Sequence, residues 1–91
     1  MMRFMNVGYG NSVNGDKVVS IVAPDAAPVK RMVQAAKDKG YAVDATCGRK
    51  TRAVLVMDSG HIVLSALQPE TIINRCQGKD NTINSKGDYN E

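Results

Sequence analysis

Asp44-Ala45-Thr46-Cys47-Gly48-Arg49-Lys50-Thr51-Arg52-Ala53-Val54-Leu55-Val56-Met57 sets a cationic turn directly against an apolar run. Arg49, Lys50 and Arg52 put three cations within four residues, and no acidic side chain follows before Asp58. Gly48 stands just ahead of them, and glycine accepts backbone angles that crowd any residue with a Cβ, so it suits the tip of a turn. Ala53 to Met57 is short and valine-rich, which reads as a buried strand rather than a helix. A strand carrying a cationic turn at its end can hold arginines against a phosphate backbone. The competing reading is a solvated turn whose charges only keep the chain soluble.

Working outward, Asp58-Ser59-Gly60 is a turn signal, and His61 to Leu67 reads as the antiparallel hairpin partner of 52–57. Gln68-Pro69-Glu70-Thr71 opens a short helix, with Pro69 at its first position and Glu70 beside the positive end of its dipole; it runs to Arg75 or Cys76. Upstream, Val29, Met32, Val33 and Ala36 fall on one helical face. The expected helix covers 25–39, with Asp25 as its N-cap, Pro28 in its first turn, Lys37 and Lys39 in its last turn and Gly40 as the C′ residue. Residues 3–9, 17–23 and 41–46 read as further strands. The fold class is α+β: a small, mostly antiparallel sheet of about five strands, one main helix and a short C-terminal helix.

A chain of 91 residues suits one small domain with a thin stability margin. The expected domain is 1–77. From Gly78 the pattern stops, and 78–91, with only Ile83 and Tyr89 to bury, reads as a disordered polar tail. There is no Trp and only one Phe, so the core must come from aliphatic residues. Between Lys30 and Arg52 seven basic residues face two acidic ones, a local excess of +5 within a net charge of +3. Such a concentration points to a polyanion. No apolar run approaches the ~20 residues needed to span a bilayer, and no long apolar core marks a signal peptide, so the expected location is cytoplasmic and no membrane partner is expected.

The residue types argue against an enzyme. One histidine, His61, beside scattered carboxylates makes neither a triad nor a metal site, so no catalytic residue, metal, cofactor or small-molecule substrate is expected. Cys47 lies two residues from Arg49, and nearby cations favour a thiolate; a small apolar residue packed at a strand end is the preferred reading. Cys76 reads as part of the last helix's buried face. Gly8-Tyr9-Gly10-Asn11 is loop or hairpin rather than a phosphate cradle, because no helix follows it. Lys17, Lys30 and Arg31 extend the positive surface if the fold brings them to Arg49. Aromatic side chains for stacking on unpaired bases are few, which favours double-stranded DNA over RNA.

Several blocks in order resemble the RemA family of bacterial regulators of extracellular-matrix (biofilm) genes. They are Ser20-Ile21-Val22-Ala23-Pro24, Ala27-Pro28-Val29-Lys30-Arg31-Met32, Asp44-Ala45-Thr46 with Gly48-Arg49-Lys50-Thr51-Arg52-Ala53-Val54, Met57-Asp58-Ser59, and Leu64-Ser65-Ala66 with Gln68-Pro69-Glu70-Thr71. The resemblance spans roughly 4–76. It implies a non-catalytic, DNA-binding transcriptional regulator whose subunits close into a ring-shaped homo-oligomer, with a LytTR-like fold. It also implies that Arg49, Lys50 and Lys17 contact DNA. This chain has lysine at 50 and 17 where the family usually has arginine, which keeps the charge and loses the bidentate fork. The alternative is an RNA- or anionic-lipid-binding adaptor without catalytic activity.

Overall fold

The computed structural model describes residues 3–76. In chain order the elements are β1 (Phe4–Gly8), β2 (Asn11–Asn14), a single 3-10 turn (Gly15–Lys17), β3 (Val18–Val22), α1 (Ala27–Lys39), β4 (Ala42–Asp44), β5 (Ala53–Met57), β6 (Ile62–Ser65) and α2 (Pro69–Cys76). The fold is α+β, as expected. Its six strands form two sheets, a β1–β2 hairpin and a four-stranded sheet in the order β3-β5-β6-β4. The expected tail from Gly78 and the side chain of Cys76 lie outside the described residues.

Strands β5 and β6 fill the middle of the larger sheet, joined as the expected antiparallel hairpin. Their side chains alternate between two cores, which explains why both strands read as unbroken apolar runs. Ala53, Leu55 and Val63 join Met5, Val7, Ala45, Leu67 and Ile72 on one face, under the small hairpin and α2. Val54, Ile62 and Leu64 join Ala36 on the other, with Val29, Met32 and Val33 of α1 packed against them. The helix stripe expected from the sequence is therefore the surface that covers this face.

Four local expectations change. The sequence assigned no strand to Asn11–Asn14; it pairs only with β1, and its Asn-Ser-Val-Asn composition carries no alternating apolar signal. Among the described residues there are six strands rather than about five. Second, β4 lies parallel to β6 at the sheet edge, with β6 between it and β5, so the segment that reads as a turn joins strands that are not neighbours. The basic segment between β4 and β5 therefore crosses the end of β6 and is no simple hairpin turn. Third, α1 starts at Ala27, with Ala26 as an N-cap that makes no side-chain hydrogen bond. A capping side chain at Asp25 would reach the second or third helical N–H, and Pro28, which falls at that third position, has none to give. Ala26 instead accepts from Val29 and Lys30 through its carbonyl, each at 3.0 Å. Fourth, Cys47 is exposed rather than packed at a strand end. Gly40 ends α1 as expected, with φ 78° and its N–H turned back to Ala36 and Lys37.

Candidate nucleic-acid interface

Both stems of the basic loop are fixed to β6. The Ala45 N–H donates to the Leu64 carbonyl at 2.9 Å, and the Arg52 N–H donates to the Ser65 carbonyl at 2.8 Å. Inside the loop, Arg49 N–H donates to the Thr46 carbonyl at 3.0 Å, while Cys47 and Gly48 both have positive φ, 56° and 79°. Two left-handed central residues closed by such a bond are the pattern of a type I′ turn, which glycine favours and cysteine tolerates at a cost. Cys47 therefore occupies a strained turn position with its thiol in solvent.

The entry to this turn is held by Asp44. Its carboxylate accepts from the Thr46 hydroxyl at 2.6 Å and from the Thr46 N–H at 2.9 Å, an Asx-type turn at the end of β4. The hydroxyl bond first, then the amide bond, lowers the Asp44 pKa below the ordinary carboxylate value; burial works against this and the charge of Lys37 adds to it. Thr46 itself is buried. The turn is thus pinned on one side by an ionised acid and on the other by the sheet.

The antiparallel β3–β5 ladder decides which cations share this end. Val22 pairs with Val54 and Val18 with Met57, so the chain leaves β3 at the basic loop and enters it at the far end. Arg49, Lys50 and Arg52 are exposed together. Lys30, on the flank of α1, joins Lys37 and Thr51 around a depression of about 210 Å³ whose wall includes no carboxylate. Arg31 is one residue on, roughly 150° around the helix from the core-facing stripe and exposed, and it does not line that depression. Lys17 is at the opposite end of the ladder: its carbonyl accepts from the Asp58 N–H, and its ammonium lies 3.8 Å from the Asp58 carboxylate. Six residues of extended chain separate Asp58 from Arg52, about 20 Å. Within one subunit Lys17 and Arg49 do not meet.

Lys30, Arg31, Lys50 and Arg52 make no ion pair among the described residues. Lys50 and Arg52 do share a groove of about 310 Å³ with Asp25 and Glu70. Their field is partly offset there, as that of Lys37 is by the Asp44 carboxylate, while the depression beside Lys30 has no carboxylate in its wall.

Two contributors were missed in the sequence. In the sequence Lys37 answers only to the helix dipole, yet in the fold it lines the depression beside Thr51 of the loop. Tyr9, at the tip of the β1–β2 hairpin, lies under Arg49, with the guanidinium carbon 4.6 Å from the ring centroid. The only sequence hint was an aromatic residue set between two glycines. The hairpin reaches this place through Ser65, whose buried hydroxyl donates to the Val7 carbonyl at 2.9 Å and accepts from the Leu67 N–H at 3.0 Å. Gly8 allows the approach, because a Cβ there would lie 3.3 Å from Leu67.

At the far end, His61 stacks on Tyr41 with centroids 4.6 Å apart, and its Nδ1 lies 2.6 Å from the Ser59 hydroxyl. Among the described residues no group of three or more His, Cys, Asp or Glu side chains is placed to hold a metal. No helix among them is long and apolar enough to cross a membrane.

Comparison with known proteins gives a consistent result. The profile of the family described as RemA-like, extracellular matrix regulatory protein A-like, matches residues 4–76. A chain from Geobacillus kaustophilus named "Putative regulatory protein" is 55% identical over 80 residues, covering 88% of this chain and 92% of that one. One of the same description from Lachnoclostridium phytofermentans is 60% identical over 80 residues, 88% of each chain. A third, from Bacillus cereus, is 56% identical over 79 residues, 87% of this chain and 91% of its own.

Proposed function

Because the chain belongs to the RemA-like family of extracellular matrix regulatory proteins, we propose that it is a DNA-binding transcriptional regulator of extracellular-matrix (biofilm) genes that works as a ring-shaped homo-oligomer. The observation that carries this reading is the loop fastened at both stems to β6, which presents Arg49, Lys50 and Arg52 on a rigid support. Cations held in place lose little freedom when they meet phosphates, and each contact releases condensed counterions. Lys30 and Lys37 broaden the positive surface beside the loop.

Self-association is supported by the edges of the larger sheet. β3 and β4 are its two outer strands, and each carries an exposed valine, Val19 at 66% and Val43 at 50%. Open edges with apolar side chains invite pairing, and contact between unlike edges of successive subunits closes into a ring when the rotation permits. Repetition matters for affinity, since several modest sites on one duplex bind far more tightly than one. In such an assembly Lys17 touches the same DNA as a separate contact, or beside the loop of another subunit.

The test compares duplex DNA, single-stranded RNA and anionic vesicles over a salt series. The parent should prefer duplex DNA. In Arg49→Ala/Lys50→Ala, two lost phosphate contacts should flatten the log–log salt slope by about 1.8 per engaged subunit. Its circular dichroism and its mass in solution should match the parent. Preference for vesicles or RNA would favour the adaptor alternative. A double variant that keeps its affinity and slope would remove the loop from the interface.

A further inference from the structure

We propose that Tyr9 is a positioning residue for Arg49, holding the guanidinium on its ring so that the N–H edges face an incoming phosphate or base; this rests on the reading of the loop as the DNA contact. Three observations carry it. The guanidinium lies over the ring, its central carbon 4.6 Å from the ring centroid. A cation held over a ring face is attracted by the ring itself, so the contact uses none of the guanidinium's N–H donors. The other bond to the Arg49 side chain is weak, with Nη1 donating to the Cys47 carbonyl at 3.4 Å, so the ring supplies most of the constraint.

The second observation is the backbone of the hairpin tip. Gly8, Tyr9 and Gly10 all have positive φ, at 103°, 54° and 82°. Glycine suits two of these positions. A tyrosine between them is in a conformation costly for a residue with a Cβ, and held outliers of this kind gather where a side chain is used. Local folding alone would be better served by glycine at position 9.

The third is the attachment of the tip. Asn11 Nδ2 donates to the Gly8 and Tyr9 carbonyls at 3.1 and 3.2 Å, and the Asn6 carboxamide oxygen accepts from the Gly8 N–H at 2.6 Å. Below the tip, Ser65 ties Val7 to the same β6 end that holds the basic loop. Ring and guanidinium are thus carried by two segments referred to one buried strand, and their spacing is set by the core.

The experiment uses the full chain, a labelled mixed-sequence DNA duplex and a salt series. Tyr9→Gly removes the ring and relieves the strained φ, so its unfolding midpoint should equal or exceed the parent's. Its affinity should fall about 2- to 5-fold for each engaged subunit, the range an exposed cation–π contact accounts for. Tyr9→Phe keeps the ring face and should bind like the parent. In the Arg49→Ala background, Tyr9→Gly should have no further effect. The Arg49 Nε–H resonance should carry a ring-current shift that Tyr9→Phe retains and Tyr9→Gly loses. Parental binding by Tyr9→Gly alongside weakened Arg49→Ala would overturn the proposal and leave the loop reading intact. Weakening by Tyr9→Gly even without Arg49, or failure of Tyr9→Phe to restore binding, would overturn it by making Tyr9 a direct DNA contact. Parental binding by Arg49→Ala would overturn the loop reading itself.

Discussion

Replacing Ser65 with alanine should loosen the attachment of the hairpin to the sheet while leaving every cation in place. The Ser65 hydroxyl is fully buried and makes two bonds, to the Val7 carbonyl at 2.9 Å and from the Leu67 N–H at 3.0 Å. Val7 is itself buried and stands where the β1–β2 register skips between Asn6 and Gly8, so the hydroxyl acts where the ladder is irregular. Ser65→Ala leaves an acceptor and a donor without this partner. Each such group costs about 1–3 kcal/mol when water cannot reach it. A loss of roughly 2–6 kcal/mol is expected for the two groups together, a large part of the total stability of a small domain. In Tm this is on the order of 10 °C or more for a chain of this size. Thermal and urea unfolding should be compared at equal protomer concentration, because association adds stability by mass action. Ser12→Ala on exposed β2 is the control, expected within about 0.5 kcal/mol of the parent. If Ser65→Ala unfolds like Ser12→Ala, the hydroxyl does not carry the hairpin and the account of how Tyr9 reaches Arg49 fails.

Other outcomes follow from the same geometry. Cys47→Asn places Asn-Gly at the centre of the type I′ turn and should stabilise the chain by about 0.5–1 kcal/mol with DNA affinity kept; destabilisation would contradict the turn assignment. Asp44 has a lowered pKa in the folded chain, so its contribution is full above the unfolded value of about 3.9 and is lost as pH falls through the folded value. Asp44→Ala should therefore be less stable at neutral pH and converge with the parent in acid; equal unfolding midpoints at both ends would refute the role of the Thr46 bonds. Val43→Asp should lower the oligomer mass measured by light scattering, and an unchanged mass would clear the β4 edge of subunit contact. Lys50→Arg should hold or tighten DNA binding, since guanidinium makes bidentate contacts that ammonium cannot.

The parts legible in the sequence are those written in local pattern. α1 shows in the spacing of Val29, Met32, Val33 and Ala36, and its end shows in Gly40. β5 and β6 show as apolar runs around Asp58-Ser59-Gly60, and the loop cations fall within four residues. What was not legible depends on distant partners. β2 is polar and has meaning only beside β1, and β4 is parallel to β6 because α1 returns the chain to the far edge of the sheet. Tyr9 lies forty residues before Arg49, and no periodicity links them. Lys17 and Arg49 both read as positive surface, yet a strand's length separates them, since an antiparallel ladder sends the two ends of β3 to opposite ends of the sheet.

The bond between Ser65 and Val7 spans 58 positions of sequence, and this gives the basic face a place in time as well as in space. The hairpin precedes β6 in the chain, and its bond to Ser65 cannot form until the sixth strand exists. Contacts of such long separation form late, after the local helix and the β5–β6 hairpin. A chain still emerging from the ribosome carries all the loop cations before it carries the support that orders them. On the proposed DNA-binding reading, competence to grip a duplex should therefore appear late in folding, once β6 is in place.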